Sequence, residues 1–176
     1  MNLPNKLTIL RVALIPVFVL LMMGSGPAFQ RAAALVFALA SLTDWFDGWY
    51  ARRHQMVTDF GKLMDPMADK LLVMAALVGL LAQNRAPWLA VMVLLGREFV
   101  ISGIRLVAAA KGEVIAAGFS GKIKTVTQMV GLTLMLAGGC FSWLLVPGEV
   151  LIWISVVLSV WSCAEYIVNN KGVFKA

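Results

Sequence analysis

Six apolar runs follow one another along the chain, at about 7–23, 28–50, 64–83, 87–109, 123–143 and 147–169. Each is near the ~20 residues that an α-helix needs to cross about 30 Å of hydrocarbon. A helix satisfies its own backbone hydrogen bonds, which an apolar solvent cannot do, so repeated runs of this length predict a bundle of spanning helices. Composition agrees: 61% of the 176 residues are hydrophobic and only 14% are charged, unlike a soluble domain. Gly24-Ser25-Gly26-Pro27, Asn84-Arg85-Ala86-Pro87 and Pro147-Gly148 read as tight turns on one side, and the opposite connections are longer and charged. Arg11 interrupts the first run and no small-x-small cleavage site follows, so it reads as a retained span and not a signal peptide. The expectation is one all-α domain over residues 1–176, a polytopic membrane protein with six transmembrane helices.

Lys and Arg set the orientation. With the N-terminus inside, the inner segments hold Lys6, Arg11, Arg52, Arg53, Lys62, Lys70, Lys111, Lys122, Lys124, Lys171 and Lys175, and the outer turns hold Arg31 and Arg85. That asymmetry places both termini in the cytoplasm, in a multi-pass protein of the plasma (inner) membrane. The net charge of +6 then reports topology and anionic-lipid contact; no aromatic-rich basic module for nucleic acid is visible. Cys140 and Cys163 lie in apolar runs without His or Cys neighbours and read as buried small hydrophobes. Trp88, Trp143 and Trp153 suit interfacial positions.

Four aspartates gather at the cytoplasmic ends of the second and third runs. Asp44 and Asp47 are three apart and Asp65 and Asp69 four apart, so each pair shares a helix face. Two such helices side by side aim four carboxylates into one volume, where unpaired charge would repel itself. Hard divalent cations want oxygen ligands and bring phosphates with them. Gly48 follows Asp44 by one turn and Ala51 follows Asp47 by one turn, leaving the helix beside the acids uncovered, although small residues also serve plain helix packing. Arg97, Glu98 and Arg105 interrupt the fourth run, and Lys122 and Lys124 open the fifth. Charges inside a span face a cavity or a partner. An anion pocket with acids on one wall and cations on the other follows, with a Glu98–Arg105 ion pair as an internal alternative. His54 and Asp59 read as loop and turn residues.

In full, the central stretch reads Asp44-x2-Asp47-Gly48-x2-Ala51-Arg52-x8-Gly61-x3-Asp65-x3-Asp69. This resembles the signature of the CDP-alcohol phosphotransferase family with all eight fixed residues present. Asn5-Lys6-Leu7-Thr8 with Arg11 is similar to the family's N-terminal segment. Arg97-Glu98-Phe99, Ser102-Gly103-Ile104-Arg105 and Gly121-Lys122-Ile123-Lys124-Thr125 resemble the branch that makes phosphatidylglycerophosphate. The resemblance implies transfer of a phosphatidyl group from CDP-diacylglycerol to sn-glycerol 3-phosphate, with CMP leaving. It implies two divalent ions, Mg²⁺ or Mn²⁺, on Asp44, Asp47, Asp65 and Asp69. It places the CDP-lipid against Asn5, Thr8, Gly48, Ala51, Arg52 and Gly61, and suggests a homodimer. Arg97, Arg105, Lys122 and Lys124 are the expected holders of the acceptor's phosphate. Asp69, last on its face, is the expected catalytic residue, either as general base or only as orienter of the hydroxyl. Inositol phosphate as acceptor fits the same cationic wall. A divalent-cation transporter would instead place its acids near mid-membrane on broken helices.

Overall fold

The computed structural model describes residues 3–53, 59–112, 115 and 118–171, with the side chains of residues 3–6 and 44–66 outside the description. Within those limits the chain is all helical. The helices are α1 (Leu3–Met23), α2 (Pro27–Arg53), α3 (Asp59–Ala82), α4 (Trp88–Ala110), α5 (Phe119–Ala137) and α6 (Leu145–Asn169). A 3₁₀ turn, Ser142–Leu144, precedes α6. His54 lies outside the described residues, and Asp59, expected in a turn, begins α3.

Two of the three expected tight turns are where the sequence puts them. Gly26, at φ 105°, turns the chain into Pro27, which opens α2 because the first residues of a helix have no use for a backbone N–H. Asn84, at φ 54°, makes the next turn, a left-handed position that asparagine tolerates. The third turn is displaced. The fifth run was expected to reach 143, but α5 stops at Ala137, where Gly138 N–H donates back to the Leu134 carbonyl at 2.8 Å. Pro147 and Gly148, expected between helices, lie in the first turn of α6. Proline costs nothing there, since that N–H has no intrahelical partner.

Gly148 has a second reason to be in a helix. A side chain at Gly148 would begin 2.9 Å from the Met135 backbone nitrogen, and one at Gly131 would begin 3.2 Å from Leu151 and Ile152. These glycines let α5 and α6 touch backbone to backbone, and this is the most extensive helix pair in the molecule. α1 packs on α2 and α3, α4 packs on α6, and α2–α5 and α3–α4 contacts join the two groups. Phe18 of α1 and Phe37 of α2 meet at 5.8 Å between ring centres, in a core continued by Leu72, Leu77, Leu94, Leu132 and Ile152. At the α3–α4 turn, Arg85 donates to the Met135 carbonyl, and nearby Gln83 Nε2 donates to the Met22 carbonyl at 2.9 Å.

Around that apolar core, several charged and polar side chains lie inside while many large apolar ones lie outside. Arg11, Lys124, Gln128, Ser155, Ser159 and Ser162 are buried, whereas Leu20, Leu35, Met92, Leu106, Val157 and Trp161 are exposed. Trp88 and Trp143 are exposed near the starts of their helices, and Trp153 is partly so. Cys140 and Cys163, expected to be buried, are free thiols and only half-buried: Cys140 follows the end of α5 in the turn, and Cys163 packs at the margin of the small cluster Ile101, Ile104 and Tyr166. The stretch Ser142–Asn169 is long and apolar enough to cross a membrane by length and composition, and Leu7–Met23 and Pro27–Thr43 are shorter apolar segments. Charges such as Arg97, Glu98 and Arg105 interrupt the other expected spans.

Candidate functional site

The acid wall is built on α2 and α3, which pack against each other. Asp44 and Asp47 lie in α2, and Asp65 and Asp69 in α3, so both pairs keep helical spacing on adjoining elements. Asn5, Gly48, Ala51, Arg52 and Gly61 also belong to these first three helices. The side chains of those five, and of Asp44, Asp47 and Asp65, lie outside the described residues.

Asp69 is the described member. Its Oδ1 accepts a hydrogen bond from Arg11 Nη1 at 3.3 Å. Arg11 is fully buried and Asp69 is 46% exposed, so a guanidinium inside the bundle holds a carboxylate facing outward. Such a bond between charged groups is stronger than a neutral one and fixes direction as well as distance. Thr8, one turn before Arg11, is also buried. Asp69 stands at the edge of a cavity of about 560 Å³ between α2, α3 and α5. Its walls are mainly apolar, through Leu72, Val73, Met129 and Leu134, with the hydroxyls of Ser41, Thr125 and Thr133 among them.

The cationic wall differs from expectation in its pairings. Glu98 Oε1 accepts from Lys124 Nζ at 2.7 Å and from Arg97 Nη1 at 2.8 Å. The Glu98–Arg105 ion pair, the alternative reading of these two residues, is not formed. Seven residues separate them, about 10 Å along the helix axis, so Lys124 from α5 and the adjacent Arg97 reach the carboxylate first. Arg97 Nη2 donates to Ser162 Oγ of α6 at 3.1 Å. Arg105 instead turns to α6, where its Nε donates to the Tyr166 hydroxyl at 3.3 Å and the guanidinium lies 5.7 Å from the ring centre. Lys122 is exposed, while Lys124 is buried. Lys70, beside Asp69 in sequence, donates to Ser102 Oγ, which donates to the Glu98 carbonyl at 2.6 Å. A chain of polar contacts thus runs from the acid helix α3 into α4.

Arg97 and Arg105 line a second cavity, of about 200 Å³, together with Ser120, Glu165, Tyr166 and Asn170. Glu165 Oε2 accepts from Ser120 Oγ at 2.6 Å, tying α6 to the start of α5. The role of α6 was not read from the sequence. Its signal was present: Ser155, Ser159, Ser162 and Tyr166 recur at steps of four, three and four, a polar stripe on one face of an apolar helix. Two arginines around one small cavity suit a phosphate, through paired donors in a fixed plane. Adjoining helices carrying four carboxylates suit hard divalent cations.

Comparison with known proteins agrees with this chemistry. A family model described as CDP-alcohol phosphatidyltransferase matches residues 1–161. A Bacillus subtilis protein named CDP-diacylglycerol–glycerol-3-phosphate 3-phosphatidyltransferase is 43% identical, over 99% of this chain and 97% of its own length. Proteins of the same name are 38% identical in Rickettsia bellii, over 98% of this chain and 97% of theirs, and in Escherichia coli K12, over 94% and 93%.

Proposed function

The chain belongs to the CDP-alcohol phosphatidyltransferase family, and from that membership we propose that it makes phosphatidylglycerophosphate and CMP from CDP-diacylglycerol and sn-glycerol 3-phosphate. The observation that carries this reading is the match, nearly end to end, to relatives that bear this one enzyme name. The paired arginines of the smaller cavity support a phosphorylated acceptor. Membership in an enzyme family displaces the transporter alternative, and no observation favours inositol phosphate.

In this reaction the acceptor hydroxyl oxygen bonds to the β-phosphorus of the CDP-lipid. The bond from that phosphorus to the CMP oxygen breaks, and the hydroxyl proton leaves. Asp69, aimed by Arg11, takes that proton or orients the hydroxyl that loses it. Arg105 and Arg97 hold the acceptor's phosphate, Lys122 adds charge at the surface, and Lys124 acts at one remove through Glu98. Gly48 and Ala51 leave room for cytidine beside the acids, with Arg52, Gly61, Asn5 and Thr8 around it. One acyl chain lies along the apolar cavity that begins at Asp69. Asp44, Asp47, Asp65 and Asp69 would hold two Mg²⁺ or Mn²⁺ ions, which supply charge neutralisation for the diphosphate and the departing CMP. Alignment and charge stabilisation are most of what such a transfer needs.

The many exposed large apolar side chains, with Arg11 and Lys124 buried inside, support a bilayer as solvent, with six spanning helices, cytoplasmic termini and a cytoplasm-facing site in the plasma (inner) membrane; the family resemblance adds a homodimer. Purified protein in detergent, given CDP-diacylglycerol and a panel of acceptors, tests the activity. CMP release is expected with glycerol 3-phosphate and not with serine or inositol phosphate, and EDTA should abolish it. Release with another acceptor alone would overturn the assignment.

A further inference from the structure

We propose that Glu98 is a positioning residue for the acceptor wall, holding Arg97 in the orientation that faces the acceptor's phosphate; this rests on the function proposed above. The cluster begins with Lys124, whose side chain is only 2% exposed. A desolvated ammonium needs an anion at hydrogen-bond distance, and Glu98 supplies it at 2.7 Å. The same carboxylate oxygen takes Arg97 Nη1 at 2.8 Å. Adjacent residues on a helix point about 100° apart, so this bond requires Arg97 to bend back toward its neighbour and is not imposed by the backbone. The other end of the guanidinium is fixed by Ser162 of α6.

One guanidinium is thereby tied to three helices: its own α4, α5 through Glu98 and Lys124, and α6 through Ser162. The start of α5 lies against the same guanidinium, since a Cβ built at Gly121 would be in ordinary contact with Arg97 Nη2 at 3.5 Å. Glu98 itself is absent from the lining of the small cavity, whereas Arg97 and Arg105 are part of it. The carboxylate works from behind the wall. Its single charge against Arg97 and Lys124 leaves the cluster net positive beside Arg105, as binding of a phosphate dianion requires. Without it, Lys124 would be left without its anion and Arg97 would be held by Ser162 alone, with Arg105 close by on Tyr166. Glu165, the acid that does line the cavity, is committed to Ser120.

The test is full-length Glu98→Gln in detergent, with KM measured separately for acceptor and CDP-lipid. Loss of the charge-assisted hold should raise acceptor KM by about tenfold or more, with donor KM within about twofold. Calorimetric titration with glycerol 3-phosphate should show the same loss of affinity. Equal changes in both KM values, or none in a folded variant, would overturn the proposal. Should the variant fail to fold around its unpaired ammonium, Glu98→Gln/Lys124→Met removes both charges together. That double variant must keep the acceptor-selective defect, and a wild-type acceptor KM in it would equally refute the role. If wild-type protein releases no CMP with glycerol 3-phosphate, the proposed activity falls independently. The Glu98 inference is then decided by titration with inorganic phosphate, which must bind more weakly to the variant.

Discussion

Asp69 shows how much one side chain is asked to do. It is the acid whose carboxylate is held by a fully buried arginine, and it borders the apolar cavity. Asp69→Asn keeps an oxygen for Arg11 but removes the negative charge, so folding should survive while chemistry does not. CMP release should fall by about 10²-fold or more, with the melting temperature in detergent little changed. Wild-type turnover would remove Asp69 from the site. Arg105 permits a separate residue-level test. Arg105→Lys keeps a cation but loses the forked donors, the bond to the Tyr166 hydroxyl and the stacking on its ring. Acceptor KM should rise by about tenfold while donor KM stays put, and a selective rise in donor KM would contradict the assignment. The aspartates were legible in the sequence because helical spacing alone aligns them. The α6 partners of Arg97 and Arg105 were not, because Ser162 and Tyr166 are more than sixty residues away, and spacing along one helix says nothing of what another helix presents. Glu98 and Arg105 share a face and still do not pair.

The helices themselves were mostly legible, since apolar runs and Gly–Pro punctuation mark local structure. The error lay at the α5–α6 join. Pro147-Gly148 resembles a turn in sequence, yet a proline is harmless in a first helical turn and this glycine answers to a contact with α5. What punctuates there is Gly138-Gly139, nine residues earlier. The α5–α6 crossing is therefore a point where one methyl group matters. Gly148→Ala would push against the Met135 backbone nitrogen at 2.9 Å, which cannot swing aside as a side chain can. We expect destabilisation of about 1–3 kcal/mol, measured as a lowered melting temperature in detergent. Gly103→Ala meets nothing within 4 Å and should be silent by comparison. Because α5 and α6 carry Lys124, Ser162 and Tyr166, the Gly148 variant should also weaken acceptor binding before it affects the CDP-lipid.

At the scale of the whole molecule, the structure changes which charges bear on orientation. Arg11 and Lys124 are inside the bundle and Lys70 is engaged with Ser102, so these three serve the interior and not the membrane surface. Lys6, Arg52, Arg53, Lys62, Lys111, Lys122, Lys171 and Lys175 remain on the side assigned to the cytoplasm. On the other side stand Arg31, which donates to the Pro27 carbonyl, and Arg85, which is bound to the Met135 carbonyl. The positive-inside bias survives the subtraction, and in the proposed orientation the signature aspartates face the side from which a soluble phosphorylated acceptor would come. Cysteine labelling decides the matter. In a Cys140→Ala/Cys163→Ala background, Ser25→Cys lies in the α1–α2 turn and Ala176→Cys at the C-terminal residue. A membrane-impermeant maleimide should label Ser25→Cys in intact cells and Ala176→Cys only after the membrane is broken. The reverse pattern would place the acid wall outside the cell, where it could not meet cytoplasmic substrates, and would defeat the proposed topology even if the purified enzyme remained active.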